Sequence, residues 1–403
     1  MQLHGTCKMR LRSCFCVAVS RFFFNGLVDF GGNRPSIKAR FMLYSLARPA
    51  LFSLDPEAAH DIALNSLSTV SKSRFATKQL ERATGAGVPD LPVTCMGINF
   101  RHPVGLAAGL DKDARAFPAL SALGFSGVEM GTVTPKPQPG NEKPRMFRLV
   151  EDQAIINRMG FNSGGVDAFL ANITKDDRTG VAGINVGKNA DTPIERAASD
   201  YVNALQRVYS QADYITANIS SPNTKSLRDL QNANFLDNLL LDIKQAQLKC
   251  EKVHGYYVPI ALKVAPDLAE DEIETIAELV ISHKFDALIA TNTTIERPES
   301  LKSTQKHQAG GLSGAPVKEM STKCIREFYR HLNGEVQIIG VGGIKTADDA
   351  WEKLVAGADY LQIYSQFIYE GPSMIKNIVN GLLSKVNQGG FASLSEAISA
   401  ARN

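Results

Sequence analysis

At 403 residues, 44% hydrophobic and 21% charged, the chain carries enough apolar matter for one large α/β barrel with additions, and is globular rather than disordered or fibrous. Its net charge of +3 divides unevenly: residues 1–50 hold eight Lys/Arg against one acid, Asp29, while the remainder holds 36 basic and 40 acidic residues. The body therefore lacks the basic footprint of a nucleic-acid binder, and attraction to an anionic surface belongs to the N-terminus.

Six cysteines (Cys7, Cys14, Cys16, Cys95, Cys250 and Cys324) show no zinc-like spacing, and the seven histidines form no paired motif. Free thiols in a reducing compartment are expected, and no protein-bound metal. Residues 1–41 are basic and hold half the cysteines; their apolar portion, Phe15–Val28, is interrupted by Arg21 and Asn25 and is too short to span a bilayer. Such a stretch fits translation upstream of the natural start, a transit peptide or a membrane-surface segment. The more protein-like sequence from Met42 favours the first.

Residues 42–85 predict two short amphipathic helices. Asp55-Pro56 is a helix start, a capping acid followed by proline at the first helical position. Ala59, Ile62, Ala63, Leu67 and Val70 then recur at helical spacing. These helices are too small for a core of their own, so they pack on the main domain or turn an apolar face to a membrane or ligand.

From residue 86 short apolar runs alternate with helical segments. Strands are predicted at Val104–Ala108, Gly127–Met130, Gly183–Val186, Tyr214–Ile219, Val258–Val264, Ala287–Ala290, Val336–Ile339 and Tyr360–Ile363. Eight strands, each followed by a loop and usually a helix, predict an α/β fold of the (β/α)8 TIM-barrel type. An open doubly wound sheet would need a G-x-G-x-x-G turn after an early strand, and the sequence has none.

Barrel chemistry sits at the C-terminal ends of the strands, and polar or glycine residues fall at every one of them. They include A-A-G-L-D-K (Ala107–Lys112), Thr132, Asn185, Asn218, Lys263, Thr291–Thr294, Gly342-Gly343 and Tyr364-Ser365. Gly343, Tyr364 and Ser365, with Gly314, suit a phosphate, since glycine lets backbone N–H groups approach an anion. Lys263 lies among apolar residues in A-L-K-V-A, where a lysine is costly unless it meets an anion or an electron-rich ring. Asn157, Asn185, Asn218, Asn223 and Asn292 both donate and accept, and converging carboxamides suit a small ligand with amide and carbonyl edges. In A-N-I-S-S-P-N-T-K-S-L-R (Ala217–Arg228) no histidine accompanies Ser221, so a Ser-His-Asp nucleophile is excluded. Ser221 can still accept a proton if electrons leave the same substrate for a redox cofactor.

Seven motifs together closely resemble the dihydroorotate dehydrogenases, in particular the membrane-associated, quinone-using class 2. They are L-A-A-G-L-D-K-D (Leu106–Asp113), E-M-G-T-V-T-P-K-P-Q-P-G-N (Glu129–Asn141), I-N-R-M-G-F-N (Ile156–Asn162), N-I-S-S-P-N-T (Asn218–Thr224), A-T-N-T-T (Ala290–Thr294), G-G-L-S-G (Gly310–Gly314) and I-I-G-V-G-G-I (Ile338–Ile344). The resemblance runs from about Tyr44 to Lys376. It implies an FMN-binding barrel over 86–403 that oxidises (S)-dihydroorotate to orotate in pyrimidine biosynthesis.

By motif, the resemblance implies FMN contacts at Ala108, Gly109, Leu110, Asp111, Lys112, Thr132, Asn185, Asn218, Lys263 and Thr291. The phosphate would lie at Gly314, Gly343, Tyr364 and Ser365. Substrate contacts would be Lys112, Asn157, Arg158, Met159, Gly160, Phe161, Asn218, Asn223, Asn292 and Thr293. Ser221 would take the C5 proton while hydride leaves C6 for the flavin. Class 1 relatives, soluble and using fumarate or NAD, carry cysteine where Ser221 stands. Serine there, with the 42–85 helices, implies class 2, with a tunnel to ubiquinone or menaquinone. A monomer held peripherally at a bacterial inner membrane is expected, a mitochondrial inner membrane being the alternative. Another FMN barrel oxidoreductase would lack N-I-S-S-P-N-T together with I-N-R-M-G-F-N, and a barrel that only binds a phosphorylated ligand would have no use for Ser221, Lys112 and Lys263 together.

Overall fold

The computed structural model describes residues 37–85, 87–173, 178, 180–224 and 227–402. The basic extension predicted over 1–41 thus lies outside the described residues, except for its last five, which begin a helix.

Eight parallel strands close a barrel: β1 (Val104–Leu106), β2 (Gly127–Val133), β3 (Val181–Val186), β4 (Tyr214–Asn218), β5 (Ile260–Val264), β6 (Ala287–Ala290), β7 (Gln337–Val341) and β8 (Tyr360–Ile363). Spatial order follows chain order, and β8 pairs with β1 to complete the ring. Nearly every strand residue is buried. Strands covered on both faces read as unbroken apolar runs, which is why all eight predicted strands are present with ends displaced by up to three residues.

The lower barrel is solid. A Cβ on Gly105 would fall 2.2 Å from the Tyr360 hydroxyl, and one on Gly183 would fall 2.2 Å from the Tyr214 ring. The two glycines thus leave the interior to two tyrosines. An antiparallel hairpin, Val93–Cys95 with Ile98–Phe100, plugs the bottom, and Phe100 stacks on Tyr360 with ring centroids 4.0 Å apart. Stacked rings of this kind contribute about 1 kcal/mol beyond their burial. Three-residue strands carry too little alternation to be read from sequence, and this hairpin is absent from the predicted elements.

Above the barrel lies a second unpredicted unit, a three-stranded antiparallel sheet. It joins Met146–Leu149, Ala154–Asn157 and Gly311–Gly314, with Gly311 opposite Asn157 and Gly314 opposite Ala154. Its first two strands come from the long β2–β3 connection. The third is the G-G-L-S-G motif, which reads as a loop because glycine is a poor strand former.

Among the described residues three α-helices precede the barrel: α1 (Ile37–Phe52), α2 (Pro56–Ser71) and α3 (Arg74–Leu80). The Asp55 carboxylate accepts from the N–H groups of Glu57 (3.1 Å) and Ala58 (3.0 Å), as its position before Pro56 predicts. α1 differs from the prediction by starting at Ile37, and α3 is a third helix where two were predicted; α1 contains Pro49. That proline sits one turn from the helix end, where a kink has little length to act on. The helices pack on the main domain: Arg145 pairs with Glu57, Arg148 donates to Leu54 O, and the Ala119 N–H donates to Ser71 Oγ at 3.1 Å. No helix among the described residues is long and apolar enough to cross a membrane.

Candidate active site

A cleft opens over the C-terminal ends of the strands, enclosing about 1260 Å³ of atom-free space with the solvent at its mouth included. Its walls bring together most of the residues singled out in the sequence. Asn157, Asn218, Ser221, Asn223, Asn292 and Thr293 line it, as do Met159, Gly160 and Phe161. Ala108, Gly109, Lys112, Thr132, Lys263 and Thr291 contribute further wall, and Gly314, Gly343, Tyr364 and Ser365 complete it.

The amides form two hydrogen-bonded groups, one around Asn223 and one around Asn218. Asn223 Nδ2 donates to Asn157 Oδ1 (3.3 Å), and Asn292 Nδ2 donates to Asn218 Oδ1 (3.2 Å) and Ser220 Oγ (2.9 Å). Asn218 Nδ2 donates in turn to Thr132 Oγ1 (3.1 Å) and Asn185 Oδ1 (3.2 Å). Ser221 is 7% exposed, and its Oγ accepts from the Asn223 N–H at 3.3 Å. No imidazole or carboxylate among the described residues is bonded to that hydroxyl, so it has no conventional activating base. Arg228 braces the Ser221 loop: it donates to Ser220 O (3.2 Å) and Thr293 O (2.8 Å) and pairs with Asp267 at 2.7 Å.

The glycine-lined part is tight. Gly314 (φ +104°) has no room for a side chain, since a Cβ would fall 2.4 Å from Gln153 O. Gly343 (φ +69°) packs so closely on Lys318 that a Cβ would lie within 2.5–2.8 Å of it. Both positions need glycine for conformation as well as space. Ser365 Oγ donates to Ser313 Oγ at 2.8 Å, joining the β8 end to the upper sheet.

The cleft is cationic: two lysines line it, and no carboxylate does. Burial pushes Lys112 down to about 8, with Arg145 adding to the effect and Glu57, Asp113 and Asp61 opposing it. Its ammonium donates to Asn162 Oδ1. Burial also lowers Lys263, and the Glu129 carboxylate opposes that. Two desolvated cations without a lining counter-charge favour anionic ligands.

Four predicted contacts stand behind the wall. Asp111 caps the chain, accepting from the N–H groups of Arg115 (2.8 Å) and Ala116 (2.7 Å). Leu110 packs against the apolar core. Arg158 turns away, donating to Gln308 Oε1 (3.0 Å) and Ala309 O (3.1 Å) over the Phe147 ring. Asn185 lies one layer down, where it accepts from Thr132 and donates to Glu129 Oε1 at 2.8 Å.

Comparison with known proteins gives this geometry its lineage. A family profile described as dihydroorotate dehydrogenase matches residues 90–386, the barrel and its upper sheet. This chain belongs to the dihydroorotate dehydrogenase family. It is 53% identical over 341 residues to the dihydroorotate dehydrogenase (quinone) of Thiobacillus denitrificans, covering 85% of this chain and 99% of that one. The protein of the same name from Vibrio atlanticus is 50% identical over 343 residues, covering 85% of this chain and all of the relative. Among solved structures, the Eimeria tenella dihydroorotate dehydrogenase in complex with ferulenol is 39% identical, with a TM-score of 0.79 over 87% of this chain and 98% of that one. Relatives and fold thus place the chain among the quinone-named oxidoreductases of the family.

Several lining residues were not picked out from sequence. His60 reaches the cleft from α2, and burial, then Lys112, pushes it down to about 4. Its signal was the Glu57–His60 spacing, which puts both side chains on one face of α2. Gln362 and Gln366 flank the Tyr364-Ser365 pair and also line the cleft.

Proposed function

We propose that this protein oxidises (S)-dihydroorotate to orotate in pyrimidine biosynthesis and delivers the electrons to a membrane quinone, with FMN as cofactor and Ser221 as the proton-accepting base. The observation that carries this reading is the cleft's chemistry: two hydrogen-bonded groups of carboxamides, two desolvated lysines and no lining carboxylate, beside a serine with no base of its own. The residues fit a phosphorylated flavin. Thr293 Oγ1, Gln362 Oε1 and Gln366 Oε1 are buried at the cleft with no hydrogen-bond partner among the described residues, and so are open to a ligand's polar edge. Gly314, Gly343, Tyr364 and Ser365 would hold the phosphate. Thr132, Lys263 and Thr291 would meet the ring system, and Leu110, Asp111 and Asn185 would support that wall from behind.

When bound, FMN supplies a two-electron acceptor for hydride from C6 of the substrate. The chain's own residues do the rest. Ser221 accepts the C5 proton, and its loop is held by the Arg228–Asp267 pair so that the hydroxyl stays aimed into the cleft. Lys112 holds the substrate carboxylate. Asn157, Asn218, Asn223, Asn292 and Thr293 grip the ring amides, and Met159–Phe161 close over them. Arg158 supports that turn from outside. A serine base of high intrinsic pKa makes the chemical step faster as pH rises.

The helices of 42–85 would admit the quinone, ubiquinone or menaquinone, and seat the enzyme on a membrane surface. Residues 86–403 would form the catalytic barrel. On this reading the enzyme is a monomer held peripherally on the cytoplasmic face of a bacterial inner membrane. The test is direct. Purified protein should be yellow, bleach when dihydroorotate is added without oxygen, and recolour with a quinone analogue but not with fumarate or NAD. Ser221→Ala should slow bleaching by orders of magnitude while orotate and FMN binding stay near normal. Unchanged single-turnover bleaching in that variant would remove Ser221 from the mechanism.

A further inference from the structure

Beneath the cleft floor the barrel interior holds a carboxylate that the proposed chemistry does not use. Glu129, on β2, is 1% exposed. Its Oε1 accepts from Asn185 Nδ2 at 2.8 Å, and its Oε2 accepts from Gln362 Nε2 at 2.7 Å and from the Tyr214 hydroxyl at 3.1 Å. Three strands other than its own therefore converge on one acid. Below it the interior is sealed by Tyr214, Tyr360 and Phe100, so no water route offsets the cost of burying a charge there.

Hydrogen bonds satisfy the carboxylate's lone pairs but do not neutralise it. The interior cation is Lys263, on β5, also buried, with Glu129 as the one acid acting on it. Among the described residues the Lys263 ammonium has no hydrogen-bond partner, yet it lines the cleft. The other titratable groups near this layer, Tyr214, Tyr360 and Tyr364, are all pushed upward by burial, so they stay uncharged. The barrel core thus sets one buried acid, Glu129, behind the lysine that lines the ligand cleft.

We propose that Glu129 is a positioning residue for the flavin: the acid set behind Lys263 that offsets its charge, and the acceptor that orients Asn185 and Gln362 at the cleft floor. This rests on the flavin reading above. A lysine alone beneath the ring would favour the reduced, negatively charged cofactor strongly. The acid behind it moderates that pull and so sets how readily electrons move onward to the second substrate. Glu129 and Lys263 make no direct ion pair among the described residues, so the acid acts on the lysine across the barrel interior; removing either leaves a buried charge uncompensated, and removing both does not.

The experiment uses full-length, flavin-loaded protein and three variants, Glu129→Gln, Lys263→Met and the double variant, with the midpoint potential of the bound flavin measured at pH 6.5. Glu129→Gln should raise the potential, changing the reduction equilibrium tenfold or more, which is about 30 mV for a two-electron couple. Lys263→Met should lower it, and the double variant should lie close to wild type. A purely structural role for Glu129 would change flavin occupancy without that compensation. If Glu129→Gln holds too little flavin to measure, the double variant should hold more, because it leaves no unpaired charge. A double variant no closer to wild type than the Glu129→Gln single, in potential and in occupancy, overturns the proposal. Wild-type protein that carries no flavin, or flavin that dihydroorotate does not bleach, would instead overturn the functional reading on which it rests.

Discussion

Lys112 titrates where enzymes work. Burial brings it down to about 8, so in the ligand-free cleft it loses its proton as pH rises through the mildly alkaline range. A bound carboxylate favours the charged form, so ligand binding above that pH must take up a proton. Orotate affinity should therefore be flat below about pH 8 and fall by up to tenfold per pH unit above it. Lys112→Arg, which stays protonated throughout, should straighten that profile in a titration of bound orotate against pH. Lys263 is legible in sequence, because a cation between apolar neighbours is an anomaly; Lys112, set between two aspartates in a turn, is not legible by itself. Glu129 is not legible: E-M-G-T-V shows an acid in a strand but not that its side chain faces inward. Which face a residue takes depends on register, and register belongs to the closed ring rather than to the strand. Arg158 shows the opposite case, a residue of the I-N-R-M-G-F-N motif whose side chain turns away from the cleft.

For the elements, the charged contact between the N-terminal helices and the body is centred on Glu57. Arg145, 7% exposed, grips Glu57 through Nη2 at 2.9 Å and Nε at 3.2 Å, while Lys143 approaches the same carboxylate at 3.1 Å. Partial burial raises the Glu57 carboxyl, but hydrogen bonds from Arg145 and Lys143 outweigh it and hold the group below its usual range. A carboxyl depressed in the folded state contributes stability that is present above its unfolded pKa and lost as pH falls through the folded one. Acidification below about pH 4 should therefore loosen α2 before the barrel melts. Glu57→Gln should cost about 3 kcal/mol in denaturant unfolding at pH 7, because it leaves the Arg145 guanidinium buried without its partner charge. The barrel strands and the Asp55 cap were readable from local pattern. The upper sheet was not, since one of its strands alternates over only four positions, another is buried at its first three, and the third is half glycine.

Across the whole molecule, the charge map and the helix placement point the same way. Residues 1–50 carry eight of the chain's 44 basic residues and one of its 41 acids, next to the segment that packs over the cleft. Vesicles of anionic lipid should bind the full chain, and binding should weaken as salt rises toward 0.5 M. Protein lacking residues 1–36 should lose most of that salt-sensitive binding in a flotation assay, yet bleach with dihydroorotate at the wild-type rate. Fold class and the strand-end chemistry were visible in the bare chain because a (β/α)8 barrel repeats one local pattern eight times. What stayed hidden came from contacts between distant segments, such as His60 or Gly311 reaching across the cleft.

The upper sheet couples those distant segments in one further way. Its register sets Gly311 against Asn157 and Gly314 against Ala154, so one short strand pair spans from the Asn157 amide to the glycine turn. Slippage by a single residue would swing every side chain of the pair to the opposite face, removing Asn157 from one end and Gly314 from the other in the same event. A one-residue insertion between Val150 and Gln153 should therefore not yield a graded loss of substrate or of cofactor. The roof therefore joins both ends of the cleft in one register, and neither end can be shifted without the other.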